Sequence, residues 1–164
     1  LPAGERGEIV ARGPLVSLEY FELPDATAEA HRDGWHHTGD VGYRDKAGYF
    51  YIVDRKKDMI ITGGFNVYPA EVEQVLHQHP AVQDCAVFGV PDDKWGECVT
   101  AVVEMRAGAS PEPEEMQALA RERLGPVKTH KALSFTTKLP RSNAGKVLRA
   151  ELRKPYWQAR DRAI

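Results

Sequence analysis

Short apolar runs alternate with polar breaks along the chain, with spacings near two residues in some places and near 3.6 in others. The first spacing belongs to strands and the second to helices. Gly7-Glu8-Ile9-Val10-Ala11-Arg12 reads as a strand. Residues 20–29 contain Pro24 and an Ala-rich patch and predict a loop with a short helix. Residues 35–41 read as extended. Asp45-Lys46-Ala47-Gly48 is a turn between 41–44 and 49–53, the pattern of a β-hairpin. Asp54-Arg55-Lys56-Lys57-Asp58 then lacks any apolar residue. A domain boundary is expected there, separating residues 1–56 from residues 57–164.

Beyond the break, Met59-Ile60-Ile61 predicts a short strand and Gly63-Gly64 a turn. Pro69 opens a helix in which Val72, Val75 and Leu76 share a face. Residues 82–90 read as a buried strand, Pro91-Asp92-Asp93-Lys94 as a turn, and 99–104 as a second strand. Ser110, followed by Pro111, is the expected N-cap of an amphipathic helix carrying Met116, Leu119, Ala120 and Leu124. Residues 133–137 form a third strand. Gly145 precedes a last helix with Leu148 and Leu152 on one face, and Pro155 should end or kink it. The expected class is α+β. A β-rich stretch with a hairpin precedes a small mixed or antiparallel sheet of about three strands plus a small hairpin, covered by helices.

Composition narrows the function classes. The chain has 164 residues, 42% hydrophobic and 28% charged, which supports a packed core and argues against disorder. A net charge of −2 argues against general nucleic-acid binding. The apolar runs are far shorter than the ~20 residues a membrane helix needs. Residues 1–8 have neither the basic start nor the apolar core of a signal peptide, and the absence of Met reads as a cut from a longer chain. Cys85 and Cys98 make no metal-type pair and read as small hydrophobes of a reducing compartment. The six histidines do not converge on a metal pattern, and they read as surface and helix-end residues.

Three clusters could carry chemistry. In Gly34-Trp35-His36-His37-Thr38-Gly39-Asp40, the carboxylate at a hairpin edge can accept hydrogen bonds from two neighbouring ribose hydroxyls, or be an ordinary exposed turn residue. In the stretch 54–73, Arg55 offers a fork of donors suited to ribose or phosphate oxygens. Gly63-Gly64 lets backbone approach a ligand, or allows positive φ in a turn. The stretch lacks the spacing of a phosphate loop. In Leu139-Pro140-Arg141-Ser142-Asn143-Ala144-Gly145-Lys146, a lysine behind a Gly-bearing loop can place a compact positive charge where a carboxylate attacks a phosphate. The alternative is a solvated basic helix start, since residues 138–154 hold six basic residues against one acidic.

Taken in order, the clusters resemble the late motifs of adenylate-forming enzymes: acyl-CoA synthetases, peptide-synthetase adenylation domains and beetle luciferases. The match extends from Gly7-Glu8-Ile9 to the region of Leu152. The resemblance implies an AMP-forming acid–thiol ligase. A carboxylate, expected to be a fatty acid, reacts with ATP to give acyl-AMP, and CoA then takes the acyl group. It implies that Asp40 and Arg55 contact the nucleotide. Lys57 is the hinge, and Lys146 holds the carboxylate and α-phosphate during adenylation. The same resemblance implies that Gly63 and Gly64 line the pantetheine passage and that Trp95 takes a CoA-contacting position of some aryl- and acyl-CoA ligases, the alternative being partial burial in the small domain. Residues 1–56 correspond to the β-rich end of the large domain and 57–164 to the small mobile domain. Mg²⁺ would accompany ATP, held mainly by a domain upstream.

Two departures stand out. The family's aromatic-Lys-x-Pro-Lys stretch is here Val127-Lys128-Thr129-His130-Lys131, without the aromatic or the Pro. Phe65 stands where many relatives carry Glu, and Gly-Phe-Asn-Val-Tyr-Pro also occurs in long-chain fatty acyl-CoA ligases. The chain alone is expected to be inactive, cytoplasmic and without a transmembrane span. Self-pairing into a homodimer is left open by the hairpin. Two alternatives remain: an adenylation domain that loads a carrier protein, and a non-catalytic module that keeps the small-domain fold and in which Lys146 is dispensable.

Overall fold

The computed structural model describes residues 1–110 and 112–158. It divides into two compact units, Leu1–Lys57 and a second that begins at Asp58. The first is a four-stranded antiparallel sheet of β1 (Gly7–Ala11), β2 (His31–Arg32), β3 (Trp35–Arg44) and β4 (Phe50–Arg55), with helix α1 (Pro24–Ala30) inserted before β2. β3 is the organising strand. β1 lies along one edge, while β2 and β4 share the other. The predicted turn closes around Asp45, whose carboxylate accepts the Tyr49 N–H at 2.9 Å and the Tyr51 hydroxyl at 3.1 Å. β2 escapes a periodicity reading because two residues cannot display an alternation. A short 3-10 turn, Lys56–Asp58, carries the chain across the division.

Among its described residues the second unit has five strands: β5 (Ile60–Thr62), β6 (Phe65–Val67), β7 (Val82–Asp92), β8 (Gly96–Met105) and β9 (Ala132–Thr136). β5 and β6 form the small hairpin. β7 and β8 form a long antiparallel ribbon, and β9 runs parallel to β8, which makes the sheet mixed. Helix α2 (Pro69–Leu76) and helix α3 (Pro113–Lys128) cover one face. There Val72, Leu76 and Met116 bury against Val87, Val99, Ala101 and Val103. On the opposite face Ala86, Phe88, Val102 and Leu139 form a smaller core with Val90, Val147 and Leu152, beside helix α4 (Arg149–Trp157). Each fully buried aliphatic side chain contributes roughly 1.5–3 kcal/mol.

Several expectations are corrected. The turn predicted at residues 91–94 begins later, because β7 runs through Pro91 to Asp92. Among the described residues β7 is paired only on its β8 side, so the missing N–H of Pro91 costs no ladder bond. Helix α3 starts at Pro113 with Glu112 as its N-cap rather than at Ser110, and Pro111 lies outside the described residues. Leu148 is the N-cap of α4 and not a helical partner of Leu152. Nor does Pro155 end α4. The helix continues to Trp157, whose indole donates to the Gly89 carbonyl at 3.0 Å, while Tyr156 meets the Phe88 ring. Those contacts offset the lost helical bond. His130 is 1% exposed, which corrects the reading of the histidines as surface residues.

Candidate functional site

The Thr-Gly-Asp segment lies in β3 of the first unit. The Thr38 hydroxyl donates to the Ile9 carbonyl at 2.8 Å and accepts the Asp40 N–H at 3.1 Å, which fixes the direction of the segment. Asp40 is paired across the ladder with Arg55 of β4. Arg55 Nε stands 2.7 Å from Asp40 Oδ1, with the Arg55 side chain 59% exposed. The structure thus brings together the carboxylate and the guanidinium assigned to nucleotide binding. Beside them, Glu8 accepts from Lys56 at 2.8 Å and meets His37 at 3.0 Å. Those two hydrogen bonds, Lys56 first, hold the Glu8 carboxyl down at about 2. A hollow of about 510 Å³, bounded by Thr38, Gly39, Arg55, Lys56, Lys57 and Arg32 among others, lies alongside. Lys57 is exposed at the end of this unit.

Lys146 sits in the second unit on a tight turn between Leu139 and α4. Ser142 N–H donates to the Lys146 carbonyl at 2.9 Å, and Gly145 N–H to the Ser142 carbonyl at 2.8 Å. Lys146 N–H donates to Ser142 Oγ at 3.2 Å, and Arg141 bridges Val147 as a short antiparallel pair. Gly145 has φ +80°, a conformation that costs a side-chain-bearing residue roughly 1–2 kcal/mol. Lys146 is exposed, and among the described residues no ion pair engages its ammonium. The turn presents a positive charge without neutralising it.

Gly63 belongs to the β5–β6 turn. Its N–H donates to the Trp95 carbonyl at 2.8 Å, its φ is +57°, and a Cβ there would stand 2.9 Å from Trp95 Cε3. Both conformation and space demand glycine. Gly64 follows with φ +81°. Thr62, Gly63, Phe65, Trp95, Pro126 and Val127 line an apolar cavity of about 230 Å³, together with Lys131. The Lys146 turn and this cavity occupy opposite ends of the β7–β8 ribbon. Arg141 is anchored beside Asp84 and Glu104, while Trp95 sits in the turn between Asp92 and Gly96. Eight residues of strand separate Asp84 from Asp92, roughly 25 Å.

The family description AMP-binding enzyme C-terminal domain matches residues 71–146. These residues belong to the AMP-binding enzyme C-terminal domain family. The chain around this domain is 50% identical over 156 residues to a feruloyl-CoA synthase of Amycolatopsis, covering 95% of this chain and 32% of that protein. It is 51% identical over 148 residues to a long-chain-fatty-acid–CoA ligase of Bacillus subtilis, covering 90% and 26%. The solved structure of Bacillus subtilis o-succinylbenzoate CoA synthetase, bound to its acyl-adenylate intermediate, matches at a TM-score of 0.85. Its identity is 39%, and the match covers 93% of this chain and 31% of that one. The chain therefore spans a third or less of the length of these relatives. The family resemblance and the α+β class expected from the motifs are borne out.

Within the second unit, sequence reasoning missed the charged groups that fasten its elements. Glu73 of α2 accepts the Val87 N–H at 2.9 Å and pairs with Arg149 at 2.6 Å, so one carboxylate satisfies the open edge of β7 and ties it to α4. Glu97 accepts the Ile61 N–H at 2.6 Å and holds the β5 turn to β8. Their only sequence signal is charge placed next to strand and helix ends. Both thiols are free, and burial pushes the Cys85 thiol far above its usual range, which leaves it inert. Among the described residues no three His, Cys, Asp or Glu side chains converge to hold a metal ion. Nor is any helix among them long and apolar enough to cross a membrane.

Proposed function

We propose that this chain supplies the nucleotide-contacting hairpin and the adenylating lysine of an AMP-forming acid–thiol ligase. The observation that carries the reading is the separation of Lys146 and Gly63 to opposite ends of one β-ribbon. Two elements so far apart on one small body cannot serve the same reacting atoms together. A ligase with two successive steps needs such a body to turn.

In the first step a carboxylate oxygen forms a bond to the α-phosphorus of ATP and pyrophosphate leaves. Lys146 places its ammonium against the charge that gathers on the carboxylate and phosphate oxygens. Asp40 accepts the ribose hydroxyls, and Arg55, half released to solvent, turns between Asp40 and the nucleotide. In the second step the small domain rotates about Lys57. Lys146 withdraws, and the Gly63–Gly64 turn with Trp95 flanks the thiol arm of CoA. The thiolate sulfur attacks the acyl carbon and AMP leaves. The proposed acid is a fatty acid. The Gly-Phe-Asn-Val-Tyr-Pro stretch and the Bacillus relative support that choice, and the Amycolatopsis relative makes ferulate the acid to set against it.

The test is turnover by the complete enzyme with ATP and either free CoA or a pantetheine-bearing carrier protein, across decanoate, palmitate and ferulate. The reading expects AMP, pyrophosphate and the alkanoyl-CoA as products, and no turnover by the 164-residue chain on its own. Failure of all three acids to release AMP would remove the ligase reading, and preference for the carrier would reassign the acceptor.

A further inference from the structure

We propose that Arg141 is a positioning residue that sets where the Lys146 ammonium stands, and so governs the acyl-adenylate-forming step alone. The proposal rests on the reading of Lys146 as the adenylating lysine.

Asp84 of β7 and Glu104 of β8 are direct cross-strand partners. Two carboxylates in that relation repel one another, at a cost to the ladder. Arg141 answers both: its Nη2 lies 2.6 Å from Asp84 Oδ2 and 3.2 Å from Glu104 Oε2. Those contacts hold the Arg141 guanidinium above its ordinary range. Glu104 Oε2 also accepts the Leu139 N–H at 2.9 Å, so the same carboxylate fixes the start of the turn. The other arm of the guanidinium, Nη1, donates to the Gly145 carbonyl at 3.2 Å. Gly145 is the residue immediately before Lys146. One planar cation thus joins two strands of the sheet to the peptide that carries the lysine.

The remaining contacts of the turn are internal to it or apolar. Leu139 is 1% exposed, Val147 packs on the same small core, and Leu148 N–H donates to the Pro140 carbonyl at 2.9 Å. These keep the segment folded without fixing the tilt of its tip. Arg141 supplies the link between tip and sheet. A shift of about 1 Å in a group that acts on reacting atoms costs on the order of 100-fold in rate. A lysine at 141 keeps the charge between Asp84 and Glu104 but lacks the second nitrogen for Gly145, so it separates charge balance from positioning.

The experiment compares Arg141→Ala, Arg141→Lys, Lys146→Ala and the Arg141→Lys/Lys146→Ala double variant in the complete enzyme. It measures single-turnover formation of acyl-AMP from ATP and whichever acid of decanoate, palmitate and ferulate the wild type uses best. It also measures thioester formation from the corresponding acyl-AMP and CoA. Both Arg141 variants are expected to lose roughly 10- to 100-fold in the first half-reaction and to stay within about threefold of wild type in the second. In the Lys146→Ala background the Arg141→Lys change is expected to add nothing, since a residue that acts through another has no effect once that other is gone. If Arg141→Ala fails to fold, Arg141→Lys decides. Wild-type acyl-AMP formation by Arg141→Lys, equal loss in both half-reactions, or an undiminished loss in the Lys146→Ala background would each overturn the proposal. Normal adenylation by Lys146→Ala would instead remove the reading on which it rests.

Discussion

Gly63 shows how one residue ties backbone conformation to a proposed chemical step. Its positive φ and the Trp95 ring beneath it exclude any side chain without strain. Gly63→Ala is therefore expected to displace Trp95 and narrow the apolar cavity that both line. In the complete enzyme it should slow thioester formation from preformed acyl-AMP by about 10-fold or more, with adenylation within roughly threefold of wild type. Stopped-flow or quench measurements of the two half-reactions check this, and an equal loss in both would contradict it. The Gly-Gly pair was visible in the sequence, but Trp95 as its neighbour was not. Gly63 and Trp95 lie 32 positions apart in the chain, and the pairing of Thr62 with Gly96 brings them together.

At the scale of the elements, the strands and helices with a full period were legible, and those shaped by tertiary contact were not. α2 could be read from Val72, Val75 and Leu76 because a single face is buried. The end of α4 could not, because the Trp157 and Tyr156 contacts carry it past Pro155 against local preference. The register that sets Asp84 against Glu104 depends on a bulge between Val82 and Asp84, which no periodicity reports. The link from α3 to β9 holds a further consequence. His130 is buried there, and among the described residues neither ring nitrogen has a hydrogen-bond partner. Burial first, and then neighbouring Lys131, pull its ring down to about 4 from 6.5. Between those values the unfolded chain holds more protons than the folded one. The stability that this histidine contributes is therefore complete above about 6.5 and is lost as pH falls through about 4. The span corresponds to roughly 3 kcal/mol. Urea denaturation at pH 7 and pH 4.5 should show wild type losing about 2–3 kcal/mol more than His130→Phe across that interval. Parallel losses would place the acid sensitivity elsewhere.

For the whole molecule, the two units divide the proposed labour. The first holds Asp40 and Arg55 against one another on adjoining strands. The second carries Lys146 and the Gly63–Trp95 turn at opposite ends of its longest ribbon. The sequence motifs singled out these residues before their positions in the fold were known. That the last two stand far apart emerges only once the strand lengths and pairings are known. The most direct measurement is the pair of single-turnover rates for Lys146→Ala in the complete enzyme. The account expects acyl-AMP formation to fall roughly 100- to 1,000-fold, as when a preorganised charge is removed from a transition state, while supplied acyl-AMP is converted to thioester at the wild-type rate. Acyl-AMP formation that stays at the wild-type rate, or a thioester step that collapses with it, would contradict the assignment of this lysine to the first step.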